Sequence, residues 1–308
     1  MRSYYSFSEY LKTRFERRVQ RISLNAGFDC PNRNGTLSAS GCIFCNEKGF
    51  SRFAGTRLTL AEQIKESMNF VRARFGAEKF LAYFQNASGT YAQTAKLKEA
   101  YDVIKDFPDI VGLFISTRPD CMDEEKLDLV AGYCDNYEVW VEYGVQSVHD
   151  KSLKYLNRSH TFSQSLEAIE NTARRGIKVG THIIIGIPGE TREDIIETAR
   201  VIAHLPVSGV KLHVLHILRD TPLEKVFIEG KLNLLKQDEY ISLACDFIER
   251  LDPGCVILRL VSDANPAVLV SPAWINEKQK LIESVESEFN KRGTCQGAKY
   301  DKNNLCVR

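Results

Sequence analysis

The chain has 308 residues, 44% of them hydrophobic and 26% charged, an ordinary globular balance that excludes disordered, collagenous and coiled-coil classes. Its 41 basic and 40 acidic residues leave a net charge of +1, so the overall balance makes no electrostatic case for a nucleic-acid partner. The longest strongly apolar run, residues 183–187, is broken by Gly186 and stopped by Pro188, far short of the ~20 residues of a membrane helix.

In chain order, short apolar or β-branched runs predict strands over 19–24, 80–85, 111–117, 138–143, 179–185 and 210–217. Helical periodicity predicts helices over 60–74, 94–105, 123–134, 162–175 and 192–204, each long enough for a right-handed crossover. Thr59, Asp123 and Thr191 stand as N-caps before three of these, with acids in the first turn. Parallel strands with intervening helices follow, as an open doubly wound sheet or a full or partial barrel. In either case chemistry gathers at the carboxyl ends of the strands. After Gly230 the pattern changes to a helix near 237–251, an apolar run at 256–261, a stretch punctuated by Pro266 and Pro272, and a helix near 277–291. The expected division is a core over 1–235 and a C-terminal extension over 236–308 that shapes the substrate site.

The first residues lack the apolar core and small-residue cleavage site of a secretory signal, and nine cysteines is an odd count in so long a chain. A cytoplasmic protein with reduced or metal-bound thiols and no membrane partner is therefore expected. Cys30, Cys42 and Cys45 fall within sixteen residues of a Gly/Ser/Asn-rich loop after the first strand. The close pair can set two thiolates on one centre, and the flexible stretch before it returns Cys30 to the same place. Soft sulfur ligands select zinc or an iron–sulfur cluster. A structural zinc would need a fourth Cys or His, and the next cysteine is Cys121, whereas three ligands leave one iron of a four-iron cluster open. Cys121, Cys134, Cys245 and Cys255 read as small core residues, with Cys295 and Cys306 in the tail.

Strand parity puts Glu142, Gly144 and Gln146 on one face, and Lys211 and His213 together with His216 opposite unless a bulge intervenes. His182, Lys211 and His213 are either hydrogen-bonded core groups or contacts at the active-site mouth. Arg118 and Asp120, around Pro119, are substrate groups or a surface ion pair. The turn from Gly186 to Thr191 lets a ligand approach the backbone.

The segments Gly27-Phe28-Asp29-Cys30-Pro31-Asn32-Arg33-Asn34-Gly35-Thr36 and Gly41-Cys42-Ile43-Phe44-Cys45-Asn46 carry a resemblance, joined by Ala82-Tyr83-Phe84-Gln85, Ser116-Thr117-Arg118-Pro119-Asp120-Cys121, Glu142-Tyr143-Gly144-Val145-Gln146-Ser147, Gly186-Ile187-Pro188-Gly189-Glu190 and Lys211-Leu212-His213-Val214-Leu215-His216. On these motifs the chain resembles, over nearly its whole length, the radical S-adenosylmethionine superfamily. It closely resembles the YhcC/YtqA subgroup, which is related to the radical domain of the elongator catalytic subunit. The resemblance implies an α/β fold, a partial (βα)6 barrel with a C-terminal extension. In it Cys30, Cys42 and Cys45 hold a [4Fe-4S] cluster whose fourth iron is chelated by S-adenosyl-L-methionine. Reduction by a flavodoxin- or ferredoxin-type donor then gives a 5′-deoxyadenosyl radical for hydrogen abstraction. The implied cofactor-binding residues are Phe44, Tyr83, Gln85, Glu142, Gln146, His182, Ile187, Pro188, Lys211 and His213, with Glu142 a candidate for the amino group or ribose.

Three positions depart from the subgroup: Ala87 and Ser88 stand where relatives carry an aromatic residue and a threonine, and Leu258 where they carry a histidine. The YtqA branch resembles enzymes of transfer-RNA wobble-uridine modification, taking carboxymethylaminomethyl toward aminomethyl. Arg14, Arg17, Arg18 and Arg21, with Lys291, Arg292, Lys299, Lys302 and Arg308, are the candidate phosphate contacts, interrupted by Glu9 and Glu16. Three readings stay open: an RNA-modifying radical enzyme, a radical enzyme acting on a small molecule or protein, and a non-enzymatic iron–sulfur redox or sensor protein.

Overall fold

Strand and helix alternate as the periodicity demands. The structure, a computed structural model, describes residues 2–46, 53, 56–262 and 264–302; Cys306 and Arg308 lie outside the described residues. The elements run α1 (Phe7–Phe15), β1 (Val19–Leu24), α2 (Leu60–Phe75), β2 (Lys79–Phe84), α3 (Thr94–Asp102), β3 (Ile110–Thr117), α4 (Glu124–Ala131) and β4 (Glu138–Gln146). They continue with α5 (Asp150–Tyr155), α6 (Phe162–Arg174), β5 (Lys178–Ile185), α7 (Arg192–His204), β6 (Gly209–Val214), β7 (Ile217–Leu218), α8 (Pro222–Ile228), α9 (Gln237–Ile248), β8 (Val256–Arg259), β9 (Leu269–Ser271) and α10 (Lys278–Arg292). The caps work as expected: the side chains of Thr59 and Thr191 accept from the backbone N–H groups of Glu62 and Asp194, whose carboxylates return the bond.

The main sheet has the order β1-β2-β3-β4-β5-β6-β8, with parallel pairing between all neighbours. It curls into the expected partial barrel, but with seven strands rather than six, because the apolar run at 256–261 supplies β8. A further difference lies at the end of β6. The chain leaves the strand after Val214, so parity no longer governs His216, which lines the same cavity as Lys211 and His213.

The barrel interior is layered. At the amino ends of the strands Leu11, Val19, Leu81, Phe114, Trp140, Val256 and Leu258 form an apolar plug. Phe114 stacks on Trp140 at 5.6 Å, and Tyr10 of α1 meets Trp140 edge-on at 5.6 Å. Leu258 is spent in this plug and does not line the cavity above it. Buried Glu138 ties α1 to the sheet, accepting from Tyr10 Oη, from Arg14 Nε at 3.0 Å and from Trp140 Nε1 at 3.0 Å, with Lys178 Nζ at 2.5 Å. The segment before α1 clasps distant chain: Ser6 bridges Ile257, Tyr5 N donates to Gln296 Oε1 at 2.9 Å, and Gln296 N donates to Ser3 O at 2.8 Å.

The basic clusters expected as phosphate contacts are largely committed elsewhere. Arg14 pairs with Glu138 and Arg17 with Glu78, while Arg21 turns into the barrel. In the tail, Arg292 pairs with Asp246 and Glu249, and Lys299 with Glu249. Among the described residues no helix is long and apolar enough to cross a membrane.

Candidate active site

The cysteine loop leaves the carboxyl end of β1 and folds over the barrel mouth. Arg33 N and Asn34 N donate to Cys30 O at 2.9 and 3.1 Å, and Cys45 N to Cys42 O at 3.0 Å, so each end of the triad sits on a tight turn. Gly41, at φ +70°, takes a left-handed conformation just before Cys42 that a side chain would resist. The loop is docked by the segment after α5: Ile43 N donates to Leu156 O at 3.1 Å, and Asn157 Nδ2 to Gly41 O at 2.6 Å. Asn32 answers by donating from Nδ2 to Asn157 O at 2.6 Å.

Cys30 and Cys42 are buried and Cys45 half-buried. Arg158 Nη1 lies 3.2 Å and Asn32 Nδ2 3.4 Å from Cys42 Sγ, and Arg158 Nη2 is fixed on Gly144 O at 2.8 Å. Arg118, expected either as a substrate group or in a surface ion pair, is in a buried one: its side chain is 4% exposed, paired with Asp120 at 2.7 Å. Its Nη2 also donates to Arg158 O at 2.8 Å, and its Nη1 is buried with no hydrogen-bond partner among the described residues. Burial resists ionisation of Cys42, but Arg158 outweighs it and holds the thiol below its usual range, while burial pushes Cys45 up to about 11. The surrounding cations suit a multiply negative sulfur centre.

The donor set fits a cluster better than a lone ion. Three soft thiolates with no fourth Cys or His in their loop, set among cations at the cavity, suit a cluster that leaves one iron open. Among the described residues His149, Asp194 and Glu197 bring ligand atoms within 4.8 Å of one another, on the outside of the barrel.

Below the thiols opens a cavity of about 980 Å³. Phe44, Tyr83, Gln85, Gln146, His182, Lys211 and His213 of the expected set line it, together with all three cysteines. Glu142 does not reach it: the side chain is 0% exposed, and its Oε2 accepts from Tyr83 Oη at 2.7 Å, from Lys211 Nζ, and takes His182 Nε2 at 2.9 Å. Its geometry thus serves the neighbouring side chains rather than a bound group. Burial works against the charge on Glu142, yet Lys211, His182 and Arg21 hold its carboxyl well below the usual range. Burial pushes His182 down to about 4, leaving a neutral ring at pH 7. Ile187 and Pro188 also lie off the cavity, and Ile187 packs with Leu156, Ile184 and Leu215 behind Ile43 and Phe44. Ala87 lines the cavity, whereas Ser88 is buried and bonded to Thr117 Oγ1 at 2.7 Å.

Sequence reasoning passed over Arg158, Asn32 and Arg259. The polar run Asn157-Arg158-Ser159-His160 was one available signal, and a lone arginine between Leu258 and Leu260 was another.

Comparison with known proteins agrees with this geometry. A model of the Radical SAM superfamily matches residues 30–202, and one of the Radical_SAM C-terminal domain matches residues 207–291. The chain is 35% identical over 300 residues to the protein YtqA of Bacillus subtilis, covering 97% of this chain and 93% of that one. It is 29% identical over 164 residues, 52% of its length, to the tRNA uridine(34) acetyltransferase of Dehalococcoides mccartyi, of which this covers 35%. Its fold matches the solved structure of the archaeal Methanocaldococcus infernus Elp3 with a TM-score of 0.67 at 17% identity, covering 90% of this chain and 64% of that one. With its thiol loop, seven-stranded half-barrel and full-length relatives in agreement, the chain belongs to the radical SAM superfamily and is an enzyme whose cofactors are a [4Fe-4S] cluster and S-adenosylmethionine.

Proposed function

We propose that this enzyme modifies transfer RNA, acting by hydrogen abstraction on the side chain of a wobble uridine, with carboxymethylaminomethyl-uridine to aminomethyl-uridine as the reaction. The observation that carries radical chemistry is the placing of Cys30, Cys42 and Cys45 over an interior cavity of about 980 Å³. The uridine end is supported by the partial likeness to a tRNA uridine(34) acetyltransferase. When bound, the cluster and S-adenosylmethionine supply a 5′-deoxyadenosyl radical.

The chain's own residues then divide the work. Cys30, Cys42 and Cys45 hold the cluster, with Asn32 and Arg158 donating to a ligand sulfur. Phe44 forms a wall that keeps water from the centre, backed by Ile187. Gln85 and Gln146 present amides to the cofactor, and Tyr83, His182, Lys211 and His213 orient whatever lies below it. Glu142 fixes three of those four from behind. A flavodoxin- or ferredoxin-type protein is the reductant.

The test is anaerobic reconstitution, reduction and quantitation of 5′-deoxyadenosine with and without unmodified and carboxymethylaminomethyl-bearing transfer RNA. Cleavage stimulated by the modified RNA, with aminomethyl-uridine as product, is the expected result. Cleavage indifferent to every RNA would move the enzyme to a small-molecule or protein substrate. No cleavage by a loaded, reducible cluster would overturn the radical reading.

A further inference from the structure

Charge does not balance on the floor of the cavity. Lys211 and Glu142 pair directly, and neutral His182 counts on neither side. Arg21 and Arg259 remain. Arg21 Nη1 stands 3.6 Å from Glu142 Oε1, beyond hydrogen-bond reach, and neither atom has a hydrogen-bond partner among the described residues. Arg259 lies beside Lys211 in the β6–β8 register, lines the cavity, and has no hydrogen-bond or ion-pair partner among the described residues. Among the described residues two guanidiniums, with Lys211 beside them, therefore face one carboxylate. Low-dielectric walls make such an excess costly until an anion joins it, and a guanidinium fork suits an oxyanion.

The thiol loop does not account for this surplus. That end of the cavity has Arg33, Arg118 and Arg158 of its own. Glu142 lies two residues down β4 from Gly144, whose carbonyl takes Arg158, and two residues of strand is ~6.6 Å. The floor is thus a separate station, one step deeper in the barrel than the cluster loop.

We propose that Arg21 and Arg259 form a seat for an anionic group of the substrate, a carboxylate or a phosphate. The assignment deepens the proposed function and rests on its reading of this cavity as the substrate chamber, but not on the substrate being RNA. A charged group delivered to the floor would anchor the substrate's far end and leave its nearer atoms toward the cofactor.

The reconstituted enzyme, saturated with S-adenosylmethionine so that the cofactor's own carboxylate cannot fill the seat, is titrated with sodium acetate and with inorganic phosphate against chloride at matched ionic strength. The thermal midpoint is the readout. Either oxyanion raises the midpoint of the wild type beyond chloride, and whichever acts at lower concentration identifies the group. Arg259→Gln requires at least about tenfold more anion for the same rise, and Arg259→Lys recovers most of the response. Should Arg259→Gln fail to fold, Arg21→Lys and Arg259→Lys are read in the same titration, each shifted in the same direction but less. Equal response in wild type and variants, or none beyond chloride, overturns the seat. So does a tenfold loss of S-adenosylmethionine affinity in Arg259→Gln by equilibrium dialysis, which would give the arginine to the cofactor. Failure of RNA to stimulate the enzyme would leave this titration standing, so the two ideas fall separately.

Discussion

Arg158 joins three parts of the molecule with one guanidinium: Cys42 Sγ at 3.2 Å, Gly144 O at 2.8 Å and the ring of His160 at 3.2 Å. A donor to a cluster-ligating sulfur favours the electron-rich, reduced state. Arg158→Met is expected to lower the cluster midpoint potential by roughly 60 mV, one decade for a one-electron couple, in a redox titration followed by electron paramagnetic resonance. An unchanged potential at full iron content would reduce Arg158 to a packing role. Cys30→Ala, Cys42→Ala and Cys45→Ala are each expected to lose most of the cluster iron, with a variant retaining it contradicting the ligand assignment. The gathering of the three cysteines at one cavity was legible because it is written in local spacing. Arg158 was not, because it comes within reach of Cys42 across 116 residues only when the segment after α5 docks on the loop. Glu142 was legible as important and misplaced by one level, since parity gives the face of a strand but not the depth at which neighbours close over it.

Helix α1 shows how an element can be readable and its purpose hidden. Its Ser6 cap and short amphipathic run are local, but its task, covering the amino end of the barrel, depends on Glu138 receiving Tyr10 and Arg14. Burial opposes the charge of Glu138, and Lys178 and Tyr10 override it, so its carboxyl titrates below the ordinary range. A depressed folded value stabilises above the unfolded carboxyl pKa of ~4.3 and is lost as pH falls through the folded one. Glu138→Gln is therefore expected to cost ~1–3 kcal/mol at pH 7, the scale of a hydrogen bond to a charged group. The gap from wild type narrows as pH drops below ~4, checked by denaturant melts across that window. A gap constant with pH would mean that shape, not charge, is what Glu138 contributes. The six earlier strands were readable from apolar runs between capped helices. The seventh was hidden because β8 has four residues and lies among segments whose proline spacing broke the alternation.

Across the whole molecule, the partial barrel is held shut by a clasp between its far ends in sequence. Gln296, only 7% exposed, accepts from Tyr5 N and donates to Cys255 O at 2.7 Å. Gln296→Ala leaves both groups without that partner, and a loss of ~2 kcal/mol is expected in urea melts, with fluorescence of Trp140 reporting whether the plug loosens. A loss under ~0.5 kcal/mol, the range of ordinary surface changes, would show that water replaces the amide freely. None of this clasp was visible in the sequence, since pairing over 291 residues leaves no local trace. It also sets an order of assembly during synthesis. Residues 3–6 are made long before their partners at 257 and 296. The nascent barrel must therefore wait unlatched while the intervening strands are made, its aromatic base open to water and to chaperones, and is sealed at that end only once residues 257 and 296 have been added.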